Sequence, residues 1–183
     1  MANDMGVTPN QLEHLPGAPF TQGEVDAAVS AVQLAAGWHI APQRSDTLVL
    51  DVTHCDSWLR LPTLALVSVT AVRDTDTDTV IAADRYRIST RLGQVRKRSG
   101  FWPEGYGRIE VEFVHGFDEV PLELLAVIAE AAATARRDQA VSQQAAGPYS
   151  VTIGSGGAAD LGNPLGTGAT LEKYRIRYAP GIA

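Results

Sequence analysis

RIEVEFVHGFDEVPLELLAVIAEAAATARR, residues 108–137, changes its hydrophobic period once, and that change decides the fold class. Up to position 115, Ile109, Val111 and Phe113 alternate with Glu110 and Glu112, the period of two expected of a strand with one buried face. Beyond Pro121 the spacing is helical, with Leu125, Ile128, Ala132 and Ala135 on one stripe. Pro121 suits the first helical position, where its missing N–H is no loss, and Arg136 and Arg137 suit a last turn facing the negative end of the dipole. Between the two periods lies HGFDEVP, residues 115–121. It sets His115 beside Asp118 and Glu119, the residue types of a small acid–base or metal-dependent hydrolase. The plainer reading is a corner. Gly116 accepts backbone conformations that a Cβ resists, and two acids just ahead of a helix stabilise its positive end without any chemistry.

Upstream, FTQGEV at residues 20–25 is a helix start. Thr21 and Glu24 form a capping box, and Phe20 and Val25 a hydrophobic staple. Val25, Ala28, Val29, Val32 and Ala36 then repeat at helical spacing until Gly37 and Pro42 end the run. From position 46 to 115 short runs rich in Val, Ile, Thr, Tyr and Trp are separated by Pro, Gly and Asp/Thr turns, which predicts antiparallel strands. Residues 1–20, with Pro9, Pro16, Gly17 and Pro19, read as a flexible or partner-ordered arm. Residues 21–140 read as the core. Residues 141–183 read as a brief strand at GPYSVTIG, a glycine-rich linker and a docking tail, ATLEKYRIRYAPGIA. The expected architecture is therefore α+β: a small helical core made of the first helix and the alanine-rich helix, a strand-rich antiparallel insertion between them, and an extended C-terminal tail.

Composition narrows the function. Of 183 residues, 45% are hydrophobic and 20% charged, the balance of a folded chain. A net charge of −6 and a pI near 5.1 oppose a protein that grips nucleic acid with its whole surface, although an acidic wall would let a duplex slide past. With Cys55 as the single cysteine, neither an internal disulfide nor a cysteine-rich zinc site is expected. The first twenty residues carry no apolar signal-like run and no segment suits a bilayer, so neither export nor a membrane partner is expected.

Four motifs invite sharper readings. DTDTDT, residues 74–79, imitates the start of a calcium loop, but Thr79 stands where glycine is required and Arg85 where a bidentate glutamate is required. A solvated hairpin turn is the better reading, with adventitious cation binding as the other. Gly154, Gly156 and Ala159 have dinucleotide-loop spacing, yet no helix or second parallel strand follows, which favours a linker. His54, Cys55 and Asp56 suggest a thiolate or half a metal site that no readable spacing completes; a small thiol beside a turn is preferred. The stretch from 85 to 108 interleaves cations with Tyr86, Phe101, Trp102 and Tyr106. A protein interface is favoured over a DNA-binding module built on the hairpin between Arg91 and Arg98, because aromatic residues and arginine enrich interface centres. The candidate contact residues are Arg96, Arg98, Phe101, Trp102, Tyr149, Tyr174, Arg175, Arg177 and Tyr178. No catalytic, cofactor-binding or metal-binding residue is assigned.

The order of these segments, FWPEGYG among them, with VEFVHGFDEVP at 111–121 and GPYSVT at 147–152 as its most specific parts, resembles the head-to-tail adaptor (head-completion or connector) proteins of long-tailed phages of actinobacteria. The likeness runs from about residue 21 to the C-terminus. It implies a non-enzymatic virion protein without cofactor, assembled in the host cytoplasm and placed at the head–tail junction. Its copies would form a ring on twelve-fold symmetry beneath the portal protein, meet the stopper or next tail component, and extend a channel through which genomic DNA passes without specific binding. The family's core is helical, and the strand-rich insertion here is larger than a minimal adaptor needs.

Overall fold

The computed structural model describes residues 4–53, 55–141 and 167–177. The fold is α+β, and the chain divides into two compact units: Met1–Ala36 with Val120–Arg175, and Gly37–Glu119 with Ile176–Ala183.

The first unit is helical. Helix α1 spans Gln22–Ala36, and its start is the capping box read from the sequence. Thr21 N–H donates to Glu24 Oε2 at 2.7 Å and Glu24 N–H to Thr21 Oγ1 at 3.3 Å, satisfying two backbone donors that a helix start otherwise leaves open. The buried face is Val25, Ala28, Val29, Val32 and Ala36, the expected stripe at every position. Helix α2, Leu122–Val141, buries Leu124, Val127, Ile128, Ala129, Ala131 and Ala132. This stripe is rotated from the expected one: Leu125 is only half-buried and Ala135 is exposed. The helix also runs past Arg136, which is therefore not in the last turn. Its guanidinium reaches Glu24 instead, with Nε 2.7 Å from Oε1 and a second nitrogen 2.9 Å from Oε2, and it also donates to the carbonyls of Gly17 and Pro19.

That last contact belongs to a segment expected as a flexible arm. Residues 4–20 instead contribute Met5, Val7, Leu12 and Phe20 to the buried apolar set, with a 3-10 turn at Pro9–Leu12. The turn carries its own capping box, Thr8 N–H to Gln11 Oε1 at 2.8 Å. The short helix α3, Thr167–Glu172, buries Leu171. It lies in the part of the chain expected to be an extended docking tail. The GPYSVTIG strand and the glycine-rich linker lie outside the described residues.

The second unit holds the strands. They are β1 (Arg44–Val52), β2 (Trp58–Arg60), β3 (Leu66–Asp74), β4 (Thr79–Val80), β5 (Tyr86–Ser89), β6 (Gln94–Lys97) and β7 (Gly105–His115). They form a four-stranded antiparallel sheet in the order β1-β7-β3-β4 and a three-stranded one in the order β2-β6-β5. The strand with the clearest alternation, β7, is central: Ile109, Val111, Phe113 and His115 are buried while Glu110 and Glu112 are not. Both sheets contribute to one core, in which Leu50, Leu59, Val72, Tyr86, Val95, Trp102 and Phe113 belong to a single cluster. Burying each such side chain is worth about 1.5–3 kcal/mol. The DTDTDT segment makes the turn between β3 and β4, and Asp74, 7% exposed, is drawn inward by Arg108 (Nε to Oδ1, 2.7 Å).

Candidate functional site

The corner is built on backbone before side chains. Gly116 has φ +102°, a region that side chains rarely enter. A Cβ there would lie 2.9 Å from the Pro42 carbonyl oxygen. Gly116 N–H donates to the Ala65 carbonyl at 2.9 Å, and Phe117 N–H to the Ile40 carbonyl at 2.8 Å. The close approach needs a residue with no side chain.

His115, 1% exposed, ends β7 inside this knot. Its partner is Asp46 (Nε2 to Oδ2, 2.9 Å), on the neighbouring strand β1, and not Asp118 or Glu119, both of which are exposed. Asp46 also receives Arg44 Nε at 2.9 Å. Burial pushes the His115 imidazole below its ordinary pKa, more strongly than the Asp46 carboxylate lifts it. Burial alone would raise Asp46, but the hydrogen bonds from His115 and Arg44 outweigh it and hold the carboxyl below the usual range. The pair is therefore a neutral imidazole donating to an ionised carboxylate. His39, whose ring stands edge-on at 6.0 Å, donates through Nε2 to the Pro42 carbonyl at 2.7 Å. The acid–base trio of the alternative reading is not assembled at the corner. The partner that is present, Asp46, lies 69 positions away, and only the β1–β7 register could have revealed it. Among the described residues no group of three or more His, Cys, Asp or Glu could hold a metal ion, and no helix is long and apolar enough to cross a membrane. His54 lies outside the described residues.

The candidate contact residues divide. Trp102 is 2% exposed, with Nε1 donating to the Ser57 carbonyl at 3.1 Å and its ring 6.2 Å from Tyr86, so it is a core residue. Phe101 is 56% exposed. Arg96 is exposed, with its guanidinium 4.6 Å over the Trp58 ring. Arg98 is exposed and donates through Nε to the Tyr86 carbonyl at 3.3 Å. In the three-stranded sheet Trp58 pairs with Arg96, and Arg96 with Arg87, so a Trp-Arg-Arg row crosses one face. Arg98 follows Arg96 by two residues on that face, and its N–H bonds the Arg85 carbonyl at 2.8 Å, extending the pairing. Arg44, Arg73, Arg108, Arg136 and Arg175 each meet a carboxylate. Among the described residues Arg85, Arg87, Arg91, Arg96 and Arg98 meet none.

In the helical unit Tyr174 is not a free anchor. Its hydroxyl donates to Glu123 on α2, which Lys173 Nζ also approaches at 3.2 Å. These two hydrogen bonds, Tyr174 first, lower the Glu123 carboxyl, while burial and the carboxylate raise the Tyr174 phenol. Arg175 faces Glu172 at 3.6 Å, and Arg177 is exposed. Tyr149 and Tyr178 lie outside the described residues.

No family model and no curated protein matches the chain. Solved structures do. A chain in the neck of an empty gene transfer agent particle, computed with C6 symmetry, is similar over 99% of this chain and 95% of its own, at 19% identity and a TM-score of 0.61. A chain in the neck of a native particle, computed with C12 symmetry, is similar over 87% of this chain and 83% of its own, at 20% identity and a TM-score of 0.56. A chain of the native virion of such a particle covers 87% of this one, and is covered over 78% of its own length, at 20% identity and a TM-score of 0.54. At such identities the likeness is one of fold, and it spans the helices and the strand-rich insertion together.

Proposed function

We propose that this chain is a structural virion protein of the neck, a head-to-tail adaptor whose copies form a ring beneath the portal and continue the DNA channel towards the tail. The observation that carries the reading is similarity to a neck chain over 99% of this chain, insertion included. The residues point the same way. The packed stripes on α1 and α2 suit a rigid subunit, His115 is buried in a strand joint against a half-buried Asp46, and the corner acids stay apart from it. The finer expectations belong to this proposal: twelve copies, contact with the portal and with a stopper, kinship with the adaptors of actinobacterial phages, and protein contacts through Phe101, Arg175 and Arg177. Tyr174 would contribute only if it left Glu123 on assembly.

The test is electron microscopy of the purified chain mixed with the portal protein of the same particle. A collar of density below the portal is expected. A chain that stays monomeric and leaves the portal bare would end the adaptor reading.

A further inference from the structure

The β2-β6-β5 sheet presents a charge arrangement that its own unit does not explain. Residues 85–98 contain six cations (Arg85, Arg87, Arg91, Arg96, Lys97 and Arg98) and no acid, leaving nine cations against twenty-one acids elsewhere, a net −12. Arg87 and Arg96 are direct cross-strand partners, and like charges in that position destabilise a sheet. An isolated soluble domain gains nothing from such a row. Other arginines here are neutralised by acids placed close by, as Arg108 is by Asp74.

We infer that the exposed face of this sheet is a docking surface for the phosphate backbone of duplex DNA, with Arg87, Arg96 and Arg98 at its centre and Arg85 and Arg91 at its margin. Three observations favour phosphate over an ordinary protein partner. First, cations lead the row: Tyr86 and Trp102 are buried in the core, and the Trp58 ring, 37% exposed, lies under the Arg96 guanidinium. Phe101, Ile88 and Leu92 stay exposed in the same segment, single apolar residues among five exposed arginines. Second, directly opposed residues stand about 4.5–5.5 Å apart and residues two apart along a strand about 6.5 Å apart, so Arg87, Arg96 and Arg98 start close together from one face of the sheet. A fork donates two parallel N–H groups to a phosphate. Third, the stacking of Arg96 on Trp58 at 4.6 Å fixes one fork before binding, which reduces the ordering lost on contact. Contacts from guanidinium groups to phosphates carry no sequence information, and the rest of the chain is acidic. Binding is therefore weak, independent of sequence and steeply salt-dependent, compatible with DNA that moves past. The choice of DNA among polyanions rests on the neck reading; the arrangement of charge does not.

The test uses the full chain and fluorescence anisotropy with a labelled 30-base-pair duplex of arbitrary sequence, titrated from low to physiological salt. The triple variant R87Q/R96Q/R98Q is expected to weaken binding roughly tenfold or more at low salt and to flatten the log–log salt slope by about 2.7, the release expected for three phosphate contacts. The charge-preserving R87K/R96K/R98K is expected to keep most of the slope. Unchanged affinity and slope in the glutamine triple would overturn the inference. So would equal loss in the lysine and glutamine triples. Loss of self-association by sedimentation in the glutamine triple, with DNA binding untouched, would overturn it too and assign the face to a second copy. Arginine-dependent DNA binding in a chain that leaves the portal bare would keep this inference and end the neck reading; the reverse result would do the opposite.

Discussion

His115 donates to Asp46 from a site closed to solvent, so its protonation state is tied to folding. Burial lowers its pKa below the ordinary 6.5. The unfolded chain therefore binds a proton there more readily than the folded one, and stability, full above about pH 6.5, falls as the pH drops below that value. The groups facing the ring are Asp46, Arg44 and His39. Asp46, lowered from 3.8, adds a second loss that begins only below about pH 4. His115→Gln keeps a donor for the carboxylate and removes the titration. Thermal midpoints measured from pH 7.5 to 5 should fall for the native protein and stay flatter for the variant, whatever its absolute stability; parallel curves would show that His115 does not titrate with folding. Next to it, Gly116→Ala places a methyl 2.9 Å from the Pro42 carbonyl at φ +102°. A loss of about 1–3 kcal/mol in chemical denaturation is expected. The need for glycine was legible from the corner sequence, because a strand must stop and a helix begin within six residues. The need for Asp46 was not, since no local pattern joins positions so far apart.

Element by element, legibility followed how one-sided each pattern is. In α1 the capping box sets the first residue, and polar positions mark the outer face, so all five buried positions could be read. In α2 the run LELLAVIAEAAA is apolar on nearly every side, and the phase was decided by packing that no sequence window contains. The arm was misread for another reason. Its apolar residues have no period, yet Thr8 and Gln11 carried a capping signature that marks a folded turn. Arg136 joins these pieces through Glu24, whose pKa is lowered to about 2, first by the hydrogen bond from Arg136 and then by the Thr21 N–H. Glu24→Ala, which removes the acceptor for the Thr21 N–H, should cost about 1 kcal/mol through the cap. A double-mutant cycle with Arg136→Ala should show coupling of about 0.5–1 kcal/mol, the range for a largely solvated pair; additive losses would mean the pair is incidental. Helix α3 bears on the tail. Because Leu171 is 2% exposed, Leu171→Ala should cost about 2–5 kcal/mol, and truncation after Gly166 should lower the melting temperature as well as any docking. A truncated chain as stable as the full one would return this segment to the role of a free tail.

At the scale of the molecule, the strand-rich middle is an insertion between α1 and α2, and its two ends meet. Phe117 N–H bonds the Ile40 carbonyl at 2.8 Å, and Arg44 is paired with His115, so the chain leaves this unit beside the point where it enters. Insertions of that kind are tolerated because closing their ends asks little of the host fold. The sequence marked both limits, Gly37 and the 115–121 corner, through the change of period. It could not give the strand order, because β1 pairs with β7 across the whole insertion and nothing local prefers that partner to β2. The core cluster around Phe113, Val111, Leu50, Leu59 and Trp102 is drawn entirely from residues 50–113. Residues 37–119 therefore contain every strand among the described residues, both sheets and that shared core, and should fold when expressed alone. The expected observations are a β-type far-UV circular dichroism spectrum, dispersed amide resonances and one cooperative thermal transition. The transition should be weakened by Phe113→Ala by about 3–5 kcal/mol. A fragment with coil-like dichroism and collapsed amide dispersion would show that the apolar cluster is insufficient by itself, and that the strands require the helical unit in order to fold.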